Sequence, residues 1–113
     1  MFQISGKTIK ITRGDTGIFT FDIQNEGEPY DYSNDTVLFT VKQNTETTEI
    51  LIQKQIHYGE NVTILPADTN NLAYGDHYVY DIQLTTDGGF VDTVITPSKF
   101  IVLPEVTFND ANG

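Results

Sequence analysis

The chain has 113 residues and a mass of 12.7 kDa, the size of one ordinary domain. Six Lys and Arg residues against 16 Asp and Glu residues give a formal charge of −10. This charge argues against the basic surface that nucleic acids or anionic membranes require, and the absence of cysteine excludes disulfides and thiolate chemistry. Ile, Val and Thr make up 36 of the 113 residues. Because branching at Cβ favours strands, the composition predicts a β-rich domain.

The first half of the chain alternates apolar and polar residues with a period of two, the pattern of half-buried strands. Ile9 and Ile11 share one face of the first predicted strand, and Lys54 interrupts the pattern of the fourth. A lysine in such a position is typical of an edge strand that is protected against sheet-to-sheet aggregation. Polar turns separate five predicted strands, at 7–11, 18–23, 36–42, 49–56 and 61–65.

The second half contains one helical segment and the strongest strand pattern. Residues 66–72 begin with proline, which suits a first helical position, and are predicted to form one or two turns. Strand 77–85 directs every second side chain to one face, namely Tyr78, Tyr80, Ile82 and Leu84. Residues 86–89 (TDGG) predict a hairpin, because glycine readily adopts the positive φ of tight turns. The last strands are predicted at 90–95 and 99–103, with Pro97 interrupting them.

Seven or eight short strands with turns every few residues are typical of an antiparallel β-sandwich. A parallel sheet needs crossover helices, and no gap in the pattern is long enough for one. We therefore predict an all-β, immunoglobulin-like antiparallel β-sandwich with Greek-key connections. Residues 1–108 are expected to form this single domain, and residues 109–113 a flexible tail.

One local pattern sharpens the prediction. Tyr78 follows the glycine turn at Gly75 and opens the penultimate hairpin, as in the tyrosine corner of Greek-key sandwiches. In that corner the phenol hydroxyl bonds back to nearby backbone. Tyr80 would then occupy the core position that a cysteine holds in antibody domains. An alternative interpretation of the tyrosines is an exposed aromatic platform for sugars at the loop ends, formed by Tyr30, Tyr32, Tyr58 and Tyr74.

The sequence contains no recognisable catalytic or metal-binding motif. His57 and His77 lack a metal-ligand spacing, and no nucleophile-elbow or phosphate-loop pattern occurs, so we predict neither an enzyme nor a bound cofactor. Residues 13–15 spell the Arg-Gly-Asp tripeptide, which the local sequence favours as a β-turn. Loop carboxylates leave a calcium site open as an alternative, with Asp31, Asp35, Asp68, Asp76 and Asp87 as candidate ligands.

Several segments taken in order look like a known family. They are 11–16 (ITRGDT), 37–42 (VLFTVK), 52–54 (IQK), 64–69 (ILPADT), 72–75 (LAYG), 80–84 (YDIQL) and 92–100 (DTVITPSKF). This series resembles the N-terminal domain of bacteriophage baseplate upper proteins and small immunoglobulin-like virion or prophage proteins of Gram-positive bacteria. The resemblance implies a structural protein of a tail, baseplate or head decoration, made in the bacterial cytoplasm and located in the virion. It implies no catalytic residues.

Such a protein would act through contacts with other virion or tail proteins, or as a homo-oligomer, without nucleic-acid or membrane partners. The first and last strands, at 7–11 and 99–103, are the predicted sites for burial of a β-face or addition of an edge strand. Apolar residues just outside these strands are the candidate contacts, namely Phe2, Ile4, Val106 and Phe108. The alternative function is a carbohydrate-binding module that uses the loop-end tyrosines.

Overall fold

The computed structural model describes residues 2–3, 8–21, 23–73 and 77–104, with side chains except at 2, 3, 77 and 94–96. Ten strands and one short helix lie within these ranges. They are β1 (Phe2–Gln3), β2 (Ile9–Thr12), β3 (Gly17–Phe19), β4 (Gln24–Asn25), β5 (Glu28–Pro29), β6 (Thr36–Lys42), β7 (Ile52–Gln55), β8 (Val62–Ile64), α1 (Pro66–Thr69), β9 (His77–Thr85) and β10 (Val91–Leu103). The all-β class predicted from composition is confirmed.

A five-stranded sheet forms the main layer, in the order β2-β10-β9-β6-β7. The neighbours among β10, β9, β6 and β7 are antiparallel, but β2 runs parallel to β10, with Ile9 opposite Phe100. The prediction of a wholly antiparallel arrangement is therefore wrong for the first strand. Two strands at opposite ends of the chain have no hairpin to fix their relative direction, and the rest of the domain acts as their crossover connection.

Shorter strands lie outside the five-stranded sheet. β3 pairs with β8 in a two-stranded ribbon, and β4 pairs with β1 and β5 in a separate three-stranded sheet. Val62 and Ile64 of the ribbon belong to the same buried cluster as Phe39 and Phe100 of the five-stranded sheet. The core is thus one continuous apolar cluster, in an arrangement compatible with a β-sandwich.

The two central strands follow their sequence patterns closely. β6 and β9 have the bounds that the alternation predicts, and all four side chains predicted to face the core from β9 are buried. The ring of Phe39 packs against that of Tyr80 with centroids 5.4 Å apart. Each of these strands is paired on both sides and buried on one face, so the alternation of apolar residues alone determines which side chains face the core.

Several predicted strands have different bounds in the structure. The strand predicted at 49–56 begins only at Ile52, and Ile50 is 48% exposed. In the turn after β6, the Asn44 side chain accepts the N–H groups of Glu46 and Thr47. The strands predicted on either side of Pro97 form one strand, β10. The register of β10 against β9 shifts between Thr93 and Ser98, and these irregularities accommodate a proline that has no N–H to donate.

The turn after β2 is tied to the short helix. The N–H of Gly14 donates to the Thr69 hydroxyl across 2.8 Å, and Thr69 is fully buried. Gly14 has a φ of 85°, and the N–H of Asp15 donates to the Thr12 carbonyl. The Arg-Gly-Asp tripeptide is therefore a turn, as predicted, with its glycine inside the protein.

Candidate interaction site

Three connecting segments meet at one end of the five-stranded sheet. β6 begins there, since Thr36 lies opposite Thr85, the last residue of β9. The hairpin between β9 and β10 leaves the same end, and the segment after β7 reaches it because the Ile56 N–H donates to the Val37 carbonyl. We call residues 30–35, 57–60 and 86–90 together the loop end.

Asp35 links two of these segments. Its carboxylate accepts a short hydrogen bond from the Tyr30 hydroxyl at one oxygen and a 3.1 Å bond from the Asp87 N–H at the other. The bond to Asp35, with smaller contributions from burial and from the charges of Asp35 and Asp31, raises the pKa of Tyr30 to about 12. The phenol therefore stays protonated at neutral pH and holds the Asp35 carboxylate in place.

Each segment is also closed by its own hydrogen bonds. The Ser33 N–H donates to the Asp31 carboxylate, and the hydrogen bonds from Ser33 lower the pKa of Asp31. The His57 N–H donates to the Glu60 carboxylate, and the Glu60 N–H donates to the His57 carbonyl. In the third segment the N–H of Phe90 donates to the Thr86 hydroxyl. The loop end is thus built to present a fixed surface rather than to order on binding.

The exposed part of this surface is aromatic and acidic. Tyr58 is 53% exposed and Phe90 is 63% exposed, both large values for aromatic residues. The three segments contain no lysine or arginine, whereas their acidic residues are Asp31, Asp35, Glu60 and Asp87. Tyrosine, serine, asparagine and glycine, which are common in antibody binding loops, supply most of the remaining positions.

The three described tyrosines of the predicted sugar platform, Tyr30, Tyr32 and Tyr58, do not form one flat, exposed surface. Tyr32 is only 8% exposed, because it belongs to the core cluster and stacks near Phe21. Tyr58 packs edge-on against it, with an angle of 80° between the rings. The expectation that Tyr32 is an exposed platform residue is therefore wrong. Tyr30 is partly buried by its bond to Asp35, and Tyr74 lies outside the described residues.

Tyr78 lies in the interior at the start of β9. Its side chain is 2% exposed, and its hydroxyl donates to the Ala73 carbonyl, five residues earlier, across 3.0 Å. This is the bond back to nearby backbone that defines a tyrosine corner. Gly75, the other residue of the predicted corner, lies outside the described residues.

Of the two strands predicted as contact sites, only the first lies at an edge of the described five-stranded sheet. Over the described residues the five-stranded sheet ends in β2 on one side and β7 on the other. The segment 99–103 belongs to β10, which lies between β2 and β9, so it offers no free edge in the described sheet. The other alternative for this segment, burial of a β-face, stays a prediction. Phe2 lies in β1 opposite Asn25, but its side chain is not among those described. Ile4, Val106 and Phe108 lie outside the described residues, as does the predicted tail at 109–113.

Lys54 lies on β7, an edge strand of the described sheet. It lies opposite Phe39 on the core side of the sheet, and its ammonium forms an ion pair of 2.9 Å with Asp68 of α1. Asp68 also accepts the Leu65 N–H at the start of the helix. A charge that points inward from an edge strand opposes the addition of a further strand, because that strand would bury the charge. The sequence pattern at Lys54 predicted such a role.

Across 8–21, 23–73 and 77–104, no group of three or more His, Asp or Glu side chains is arranged to hold a metal ion. Asp31, Asp35 and Asp68 instead accept hydrogen bonds from protein donors, and Asp76 lies outside these ranges. His57 is exposed, and the His77 side chain is not described. The helix found in the described ranges is far too short to cross a membrane.

Comparison of the sequence with models of known protein families finds no match, and comparison with curated protein sequences finds none either.

Proposed function

We propose that the chain is a non-enzymatic assembly domain of a phage or prophage particle, located in its tail, baseplate or head decoration. The order of the sequence segments that resemble baseplate upper proteins supports the phage origin. One observation supports the mode of action: at the loop end, Asp35 joins two segments, and the aromatic side chains of Tyr58 and Phe90 are exposed. In this proposal the loop end docks on a neighbouring protein of the particle, either another virion protein or a second copy of this chain.

The proposal includes an immunoglobulin-like topology. The order β10-β9-β6-β7 corresponds to strands G, F, C and C′ of variable-type domains, and the ribbon of β3 and β8 corresponds to strands B and E. Tyr78 supports the same correspondence, because its bond to Ala73 lies at the start of the strand equivalent to F. In this correspondence the loop end contains the segments that carry the binding loops of antibodies.

The loop end has the composition of a binding surface. Exposed aromatic rings such as those of Tyr58 and Phe90 bury large areas at little cost in side-chain entropy, and such rings dominate binding energies. The surrounding carboxylates favour a partner with basic residues around an apolar patch, because complementary charges speed association and fix orientation.

The test uses particles prepared from a strain that carries the coding sequence, after induction of its prophages. We expect the chain to copurify with the particles in a constant ratio to their other proteins. Replacing both Tyr58 and Phe90 by alanine should reduce this ratio by about tenfold or more, as for loss of central aromatic contacts. Asp87→Lys, which leaves both rings in place, should also reduce it.

The matched control is Ile18→Ala, which removes a 64% exposed apolar side chain from the ribbon and should leave incorporation unchanged. Thermal unfolding of each variant separates loss of binding from loss of folding. Absence of the chain from the particles would refute the proposal. Binding of a soluble glycan that depends on Tyr58 would favour the carbohydrate-binding alternative instead.

A further inference from the structure

Three lysines form a stripe across the outer face of the five-stranded sheet. Lys42 and Lys99 flank Val79 in one row across β6, β9 and β10, and Lys10 lies beside Ile101 on β2. All three point away from the core side, since the burial pattern alternates along each strand. We call Lys10, Lys42 and Lys99 the lysine stripe. Of the five Lys and Arg residues in the described ranges, three belong to it.

Among the described residues the three lysines of the stripe form no ion pair within 4.0 Å. Asp81, an acid on the same face, lies opposite Thr40 in β9, two residues from the pair of Lys42 and Val79. Burial raises the pKa of Asp81, and the charge of Lys42 lowers it by a smaller amount.

Apolar groups lie between these lysines. Val79 and Ile101 are half-buried on the outer face, and Leu103 is 37% exposed at its margin. A shallow depression of about 100 Å³ lies beside Lys42, Asp81 and Pro97. The face therefore has an apolar centre with basic groups around it, an arrangement typical of binding surfaces.

We infer that the lysine stripe receives the loop end of a second copy of this chain. The loop end has the converse arrangement, with exposed Tyr58 and Phe90 among carboxylates and no basic side chain other than His57. A molecule of charge −10 repels its copies over most of its surface, whereas the stripe offers opposite charge to an acidic surface. The inference rests on the proposed function only in taking the loop end as the contact surface.

This contact joins two different surfaces, so each copy keeps one loop end and one stripe free for further copies. Contacts between two different surfaces are heterologous. They generate a closed ring when the rotation from one copy to the next returns to the first copy, and a filament when it does not. Rings and filaments of repeated copies are assemblies that a tail or baseplate requires.

The test compares oligomeric state over a range of protein concentrations at low salt, by sedimentation velocity and light scattering. The wild-type chain should form assemblies larger than dimers, which dissociate as salt is added. The stripe variant, Lys42→Glu with Lys99→Glu, and the loop variant, Asp31→Asn with Asp87→Asn, should each lower the association constant by about tenfold or more. Glu46→Gln with Glu49→Gln removes two charges elsewhere and should leave association intact.

Mixing the two impaired variants gives the decisive result. The stripe variant retains its loop end and the loop variant retains its stripe, so an equimolar mixture should form one-to-one dimers and nothing larger. A wild-type chain that stays monomeric, a stripe variant that associates like the wild type, or a mixture that yields no dimer would each overturn the inference. Incorporation of the chain into particles would still support the proposed function in those cases, so the two failures are distinguishable.

Discussion

At the scale of single residues, Thr69 joins parts of the chain that are 55 residues apart. Its hydroxyl is the acceptor for the buried N–H of Gly14, so Thr69→Val should leave that donor without a partner at nearly unchanged volume. We expect the free energy of unfolding to fall by about 1–3 kcal/mol, as for an unsatisfied buried donor. Urea denaturation measures this change.

Thr69→Ser is the control, because it retains the hydroxyl and loses a buried methyl group. Both variants lose stability, so hydrogen exchange of the Gly14 amide distinguishes them. The amide should remain protected in Thr69→Ser and exchange faster in Thr69→Val. Equal protection in the two variants would show that the bond contributes nothing.

Tyr30 provides a second prediction, in alkaline solution. Its folded-state pKa is raised to about 12, whereas tyrosine in an unfolded chain has a pKa of about 10. Between these two pH values the folded protein therefore keeps the phenol proton of Tyr30, whereas the unfolded chain has lost it. The stabilisation is complete below pH of about 10 and is lost as the pH rises through about 12.

A titration of the Tyr30 ring by NMR tests this prediction. Asp35→Asn removes the charge that favours the protonated phenol, so it should bring the pKa of Tyr30 back towards the usual value of about 10. An unchanged midpoint in Asp35→Asn would show that Asp35 is not the cause of the shift.

At the scale of elements, Lys54 determines how β7 behaves as an edge. Lys54→Val should remove the ion pair with Asp68 and give β7 an uninterrupted apolar core face. We expect stronger aggregation at a given concentration, seen as a steeper rise of scattering with time. Lys54→Arg, which preserves the charge, should scatter like the wild type. No difference between valine and arginine would mean that other features protect the edge.

The sequence predicted elements well where alternation alone decides them. For β6 and β9 the predicted bounds and the predicted buried face agree with the structure, because each strand has a partner on both sides and buries one face in the core. The sequence predicts a strand over 18–23, yet the chain leaves the ribbon after Phe19, the last residue of β3. Phe21 and Ile23 still pack on the core. Apolar alternation reports burial there, and it does not distinguish strand pairing from an extended loop.

At the scale of the whole molecule, the site was only partly predictable. Tyr30, Tyr32 and Tyr58 were singled out as loop-end residues, but which ring is buried depends on packing against Phe21 and the core. Phe90 was assigned to a strand because it precedes Val91 in an apolar run. Its exposure follows from the hairpin bonds at Thr86, which place it in the turn. The lysine stripe could not be found from sequence, since its members meet only through the strand order.

The net charge makes a prediction for the folded chain as a whole. Sixteen acidic residues on a domain of this size repel one another more strongly when folded than when the chain is expanded. Raising the salt concentration from about 0.01 M to about 0.15 M should shorten the screening length and raise the urea midpoint. The unfolding is measured at protein concentrations low enough for the chain to be monomeric. A midpoint that falls with salt would show that the charges are, on balance, arranged favourably.

The pairing of β2 with β10 determines when the protein can complete its fold during synthesis. Ile9 lies opposite Phe100, so β2 can pair with β10 only after the segment around residue 100 has left the ribosome. Until then the apolar side chains of Ile9 and Ile11, both buried in the native state, have no place to pack. Contacts between such distant residues slow folding, because a long loop must close before they form. A nascent chain of this protein is therefore expected to need chaperone protection until its final strand has emerged.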